Sequence, residues 1–278
     1  MTSDSSSLGI IVDQAFMGSS LIGPESWRAA AQAGADWMAI TEEAMTMTPE
    51  LLKQLRTDVE SAGLPVVMAQ CHAFGLNDFR DVVRDFNIER TERHIDLARD
   101  LGAPVLKILL GEWVWRTMWP ASVQWQLVVD ALRRIGDHAA IRGVEVSIEL
   151  EPLDTSLVND IASLTRMLDA VNHGSVLANI DTSHMVVRGV PAAEIGLLAG
   201  RVNSVDFSDS NGRYHEHLAP GDGVADLGSF VSELRTAQAR AIAVEVGPFN
   251  DPENAYQRVE RAIVGTRALF SDVVASHG

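Results

Sequence analysis

The sequence predicts one (β/α)8 barrel of the TIM type, a single domain over residues 1–278. Three observations predict it. Short apolar runs alternate with longer amphipathic stretches from one end of the chain to the other, eight of each. No linker, low-complexity segment or fine repeat divides them. The glycine-rich GxGxxG phosphate turn, which a doubly wound dinucleotide fold would place after its first strand, is missing.

Strands are expected at 8–12, 37–41, 65–70, 105–110, 144–150, 176–180, 204–207 and 242–246. Helices are expected at 26–33, 49–62, 88–101, 122–141, 161–171, 192–198, 227–239 and 252–270. The helix signals are physical. Thr48-Pro49-Glu50 combines an N-cap, a proline at the first helical position and an acid at the positive end of the dipole. Gly63, Gly102 and Gly143 follow helices where a left-handed C-cap is wanted. In 88–101, Ile88, Ile95, Leu97, Ala98 and Leu101 build an apolar side, and the charges between them form a wet face. His94 and His138 read as helix-surface residues. The longest excursion, 111–121, carries Trp113, Trp115 and Trp119, which suit core packing or the interface of a homo-oligomer.

Composition narrows the function. Hydrophobic residues make up 46% of the 278, enough for a large core, yet no run is long enough to span a bilayer. The first seven residues are polar and lack the basic-then-apolar pattern of a secretory leader. Cys71 is the only cysteine and lies in an apolar strand, where a buried inert thiol is expected; no intrachain disulfide is available. Together these point to the cytoplasm. The formal net charge of −16 repels phosphate backbones, and the two lysines, Lys53 and Lys107, stand far apart, so nucleic acid is not an expected partner.

In such barrels the chemistry sits at the C-terminal ends of the strands. The last four strands each end in an acid. In the fifth, Ser147, Glu149 and Glu151 share a side, which puts Glu151 at the mouth and Glu149 one layer deeper. The sixth ends in Asn179 and Asp181 on one side, with His184 three residues on, in the loop. The seventh presents Ser204, Asp206 and Ser208; the eighth has Glu245 alone among apolar residues. Carboxylates so gathered repel one another unless a positive charge joins them, and a divalent cation with oxygen ligands is the simplest. Lys107, inside the fourth strand, must pair with an acid or reach the mouth. His72 ends the third strand and faces the mouth, and Glu112 ends the fourth.

The runs Ile148-Glu149-Leu150-Glu151-Pro152, Ile180-Asp181-Thr182-Ser183-His184-Met185, Val205-Asp206-Phe207-Ser208-Asp209, Pro220-Gly221-Asp222-Gly223 and Val244-Glu245-Val246 resemble, in order and spacing, the sugar phosphate isomerase/epimerase superfamily. This is the xylose-isomerase-like TIM barrel group, with ketose 3-epimerases, hydroxypyruvate isomerase and inosose dehydratases. The resemblance is concentrated in residues 143–247. It implies that Glu151 and Glu245 are metal ligands and opposed acid/bases, and that Asp181 is a ligand. It implies that His184 binds a substrate oxygen and that His217 or Arg213, beside the Pro220–Gly223 turn, contacts substrate; His72 and Lys107 join the candidate substrate contacts. One departure matters: the family usually has a histidine ligand where this chain has Asp206. Asp206 ligating in its place gives an all-oxygen site suited to Mg²⁺ or Mn²⁺. His215 and His217 are alternative ligands, and a lost metal is a further reading.

The expected chemistry is proton transfer next to a carbonyl of a small polyhydroxylated substrate, through an enediolate. An isomerase or epimerase leads. A lyase expelling a β-hydroxyl and a non-catalytic barrel are the alternatives. The charge and the missing histidine oppose the related abasic-site endonuclease.

Overall fold

The computed structural model describes residues 7–110, 120–247 and 251–275. Trp113, Trp115, Trp119 and Glu112 lie outside the described residues. Eight parallel strands close into one barrel in chain order. They are β1 (Leu8–Ile11), β2 (Trp37–Ile40), β3 (Val66–His72), β4 (Val105–Leu109), β5 (Glu145–Glu149), β6 (Val176–Asp181), β7 (Val202–Phe207) and β8 (Ala241–Val244), and β1 pairs with β8 to complete the ring. Each expected strand is present, with ends shifted by at most two residues.

The helices are α1 (Val12–Ala15), α2 (Pro24–Gln32), α3 (Pro49–Ala62), α4 (Asp81–Asp100), α5 (Ala121–Arg142), α6 (Ile161–Val171), α7 (Thr182–Arg188), α8 (Leu227–Thr236) and α9 (Ala255–Ala275). Thr48 caps α3 by accepting from the Leu51 N–H, and Gly63 ends it at φ 67°. The stretch 192–198 forms a 3₁₀ helix. Two differences from expectation have local causes. α4 begins at Asp81, seven residues early; Val82 and Phe86 of its first two turns are exposed, so they do not continue the core-facing stripe that starts at Ile88. The short helices α1 and α7 follow their strands without a loop and are too brief to show a period.

His94 is a correction. It is buried, not on the helix surface; Nδ1 lies 2.8 Å from the Arg90 carbonyl and Nε2 accepts from the Ala44 N–H at 3.4 Å. An alternation of charges hid it, because the 3₁₀ turn at Ala44–Thr46 covers that face of α4. Cys71 is buried as expected, and burial pushes its thiol up to about 11.

Side chains fill the barrel lumen unevenly. Ile11, Trp37, Ala39, Met68, Val105, Ala241 and Ala243 form a closed apolar cluster. Trp37 fits because its strand neighbour is Gly9; a Cβ on Gly9 would lie 2.3 Å from the indole ring. On β5–β7 the lumen is polar. The Ser147 and Ser204 hydroxyls lie 2.5 Å apart, Asn179 donates to Ser204 at 3.0 Å, and Ser147 donates to Asn203. Among the described residues, no helix is long and apolar enough to cross a membrane.

Candidate functional site

The polar column leads up to the acids. Parallel pairing sets Asp181 beside Asp206 and Glu149 beside Asn179, and the next residue beyond β8 is Glu245. Glu149, Asp181, Asp206 and Glu245 each offer a carboxylate oxygen, and these atoms lie within 4.8 Å of one another; all four side chains are buried.

Lys107 enters this cluster from β4. Its ammonium donates to Asp206 Oδ2 at 2.6 Å and lies 3.2 Å from Glu149 Oε2, with 1% of the residue exposed. Burial disfavours the charged amine, but Asp206, Glu149 and Glu245 outweigh it and hold Lys107 well above its ordinary value. Burial drives Glu149 and Glu245 well above the usual carboxylate range against the pull of Lys107, and their acidic neighbours add to the rise. Asp206 is raised by burial and by Asp181 despite its ammonium partner. Asp181 goes the other way. Against burial, the His184 and His217 rings, the His184 N–H and the Ser183 hydroxyl hold it well below the usual range.

Asp181 also starts α7. Its Oδ1 accepts from the His184 N–H at 3.1 Å and from the Ser183 hydroxyl at 2.8 Å, an N-cap that fixes its direction. His184 therefore sits in a helix, not in a loop. Its Nδ1 donates to the Leu150 carbonyl at 2.8 Å, while Nε2 lies 2.8 Å from His215 Nε2 and 3.2 Å from Asp181 Oδ2. Burial pushes His184 down to about 4, so the ring is neutral near pH 7.

The segment between β7 and α8 folds back over the mouth. Asp209 and Leu218 exchange backbone hydrogen bonds of 2.9 Å as an isolated antiparallel bridge. The buried Asp209 carboxylate accepts from four backbone N–H groups, those of Ser210, Gly221, Gly223 and Ala225, at 2.8–3.1 Å. Gly223 is required here: a Cβ on it would lie 2.3 Å from Asp209 Oδ1. This clasp turns His217 inward, burying it with Nδ1 3.6 Å from both Asp181 Oδ2 and Glu245 Oε2. Burial lowers His217 to about 4 as well.

The expected residues are thus sorted. Asp181, Asp206, Glu245, His184, His217 and Lys107 converge on one site. The four-acid group of closely spaced oxygens takes Glu149, not Glu151, from this part of the chain. The two share strand parity, as expected, but β5 ends at Glu149, and Glu151 lies beyond it, buried, its N–H donating to the Val158 carbonyl at 3.0 Å. Asp206 is at the mouth and within the four-acid group, with Oδ2 held by Lys107 and Oδ1 accepting no hydrogen bond among the described residues. His72 is exposed at the end of β3, edge-on to Phe74 with ring centroids 5.2 Å apart. Arg213 lies exposed on the β7–α8 segment, its backbone N–H held by Asn211. Sequence reasoning placed Glu149 one layer below the mouth without a role in the site, and it missed the structural role of Asp209. The run Gly221-Asp222-Gly223 was the signal for that clasp, since two glycines so close imply tight backbone approach.

The donor set fits a divalent cation. Asp181 Oδ2, Asp206 Oδ1 and Glu245 Oε2 are buried and accept no hydrogen bond among the described residues, a costly state for charged oxygens without a cation. Two neutral histidines border the same oxygens.

The model of the xylose isomerase-like TIM barrel family matches residues 27–264. A 3-dehydroshikimate dehydratase of Pseudomonas putida is 25% identical over 260 residues, 89% of this chain; the chain spans 39% of that protein's length. Among solved structures, a 3-keto-D-glucoside 4-epimerase from E. coli superposes with a TM-score of 0.78 at 20% identity, covering 94% of this chain and 98% of that one. An L-ribulose 3-epimerase gives 0.81 at 17%, covering 97% and 96%. At these identities the two epimerase structures establish the shared fold.

Proposed function

We propose, for a chain that belongs to the xylose isomerase-like TIM barrel family, that it is an enzyme moving a proton on the carbon next to the carbonyl of a small polyhydroxylated ketone or aldehyde, as an epimerase or isomerase. One observation carries this. Glu149 and Glu245 reach the same buried cluster from separate strands, and both have carboxyls pushed well above their ordinary range. A base for a weakly acidic C–H needs a proton affinity raised toward neutrality, and burial supplies it. Two such groups allow one to take the proton and the other to return it.

Asp181, Glu149 and Glu245 would hold a divalent cation, Mg²⁺ or Mn²⁺ by their oxygen chemistry. When bound, it supplies polarisation of the carbonyl and a counter-charge for the oxygen anion that proton loss creates. The chain's own groups do the rest. Neutral His184, with Nδ1 donating to the Leu150 carbonyl, has Nε2 as an acceptor; it faces His215 Nε2 at 2.8 Å and would accept from a substrate hydroxyl by exchanging that contact. Lys107 offsets the charge of Asp206 and Glu149 beneath it. The folded-back β7–α8 segment walls one side of the mouth.

Incubating the protein in D₂O with a panel of ketoses, with and without Mg²⁺ or Mn²⁺, tests the reading. Deuterium should enter one carbon beside the carbonyl, without change in composition, and Glu245→Gln should stop it. Exchange at wild-type rate in that variant would remove Glu245 from the chemistry.

A second reading is favoured by the Pseudomonas putida relative: a lyase that makes the same first proton transfer and then expels a β-hydroxyl. Including 3-dehydroshikimate and keto-inositols in the panel separates the two, because a product lighter by one water rejects epimerisation.

A further inference from the structure

We infer that His217, carried in on the β7–α8 segment, is the nitrogen ligand of the divalent-cation site beside Asp181 and Glu245, while the strand residue Asp206 is committed to Lys107. This rests on the proposed function in so far as that reading places a divalent cation at the mouth.

The first argument is the position of the ring. Nδ1 of His217 lies 3.6 Å from Asp181 Oδ2 and 3.6 Å from Glu245 Oε2. Groups bound about 2.0–2.2 Å from one cation stand roughly 3–3.5 Å apart, so only a small contraction closes the set. The three residues form one of the potential ligand groups, all buried.

The second argument is hydrogen-bond supply. Both carboxylate oxygens facing Nδ1 accept no hydrogen bond among the described residues. A neutral imidazole carries one N–H, and a single proton on Nδ1 cannot satisfy two carboxylates. Nor do the nearby hydroxyls. Ser183 gives its proton to Asp181 Oδ1 at 2.8 Å, and its oxygen and that of Ser208 are 3.2 and 3.4 Å from Nδ1. A cation seated against the two oxygens satisfies both.

The third is charge. Glu149, Asp181, Asp206 and Glu245 with Lys107 leave three formal negative charges when all ionise. Lys107 neutralises Asp206 at 2.6 Å, so Asp206 does not need the ion as its counter-charge. A neutral imidazole adds a donor without adding charge. It also shifts selectivity away from purely oxygen-seeking ions and toward Mn²⁺ and later metals.

The experiment is pulsed EPR on the full chain loaded with Mn²⁺, read for ¹⁴N coupling from a ligating ring, together with Mn²⁺ titration. The unmodified protein should show the coupling. His217→Ala should lose it and bind Mn²⁺ roughly 10–100-fold more weakly, taking the effect of losing a supporting ligand partner as the lower guide. Asp206→Asn and His184→Gln should keep the coupling. Bound Mn²⁺ without nitrogen coupling in the unmodified protein overturns this inference and leaves the proposed function standing; that spectrum decides even if a variant folds poorly. Coupling that persists in His217→Ala, or that disappears in His184→Gln instead, also overturns it. Absence of Mn²⁺ binding removes both the inference and the cation from the proposed function.

Discussion

The two sides of the barrel lumen are built on opposite principles. From β8 through β1 and β2 to β3 it is filled by packing: Trp37 lies over Gly9, with Ile11, Ala39, Met68, Ala241 and Ala243 around it. From β4 to β7 it is filled by hydrogen bonds and ion pairs, with Ser147, Asn179, Asn203 and Ser204 below and Lys107, Glu149, Asp181 and Asp206 above. The packed side is dominated by apolar side chains, with Gln70 of β3 a buried polar exception. The polar side gathers groups whose protonation depends on their neighbours, and chemistry requires that dependence. Rigidity and reactivity are divided between the arcs of one ring, with Glu245, just past β8, leaning across the boundary.

The sharpest way to break this division is at the reactive side. Glu149→Gln and Glu245→Gln should each lower turnover by about 10²–10⁴-fold while the circular dichroism stays native. Glu151→Gln should lose far less; a loss equal to that of Glu149→Gln, measured under the same saturating metal, would restore Glu151 to the ligand set.

Lys107→Met should cost stability, on the order of 3–5 kcal/mol in denaturant unfolding, because it strands buried carboxylates. Adding Asp206→Leu to it should recover a large part of that loss. If the double variant is no more stable than the single, the pair is not an isolated charge unit.

On the packed side, Gly9→Ala should cost roughly 1–3 kcal/mol by forcing the Trp37 ring aside, with normal turnover per folded molecule. A selective loss of kcat would show that the two sides are coupled.

The pH dependence separates them further. In cation-free protein Glu149 and Glu245 have folded pKa values above the ordinary 4.5, so the folded state binds more protons there and loses stability as pH rises through those values. Each Gln variant should therefore be more stable than the parent at pH 8, with the gain fading toward pH 4.5 in thermal melts. His184 and His217 act with the opposite sign. Their folded values near 4 lie below the ordinary 6.5, so stability is lost as pH falls from 6.5 toward 4. The smallest effect is expected at His72, exposed on the packed side, where alanine should change kcat/KM by less than about tenfold; a larger loss would bring it into the site.

What was legible in the sequence follows the same division. Strand parity alone placed Asp181, Asp206 and Glu245 on the inner face, since a period of two is written in neighbouring residues. Parity and order along the strand put Glu151 at the mouth and Glu149 one layer deeper, but they do not say which carboxyl reaches the acids of the neighbouring strands; that depends on barrel closure. The Lys107–Asp206 pair joins residues 99 apart and depends on barrel closure. His217 was the least legible, because its direction comes from the Asp209–Leu218 bridge and a carboxylate clasp on distant amides. His94 misled for a related reason: a turn from another element covers its face of α4.

Lys107 has one more consequence. A pocket of four acids would ordinarily resist assembly until an ion arrived, tying the birth of the fold to metal supply. Here the chain brings a positive charge of its own, covalently tethered on the neighbouring strand and unable to diffuse away. A cation bound as proposed would then join a cluster already partly neutralised from within, as a ligand rather than as scaffolding.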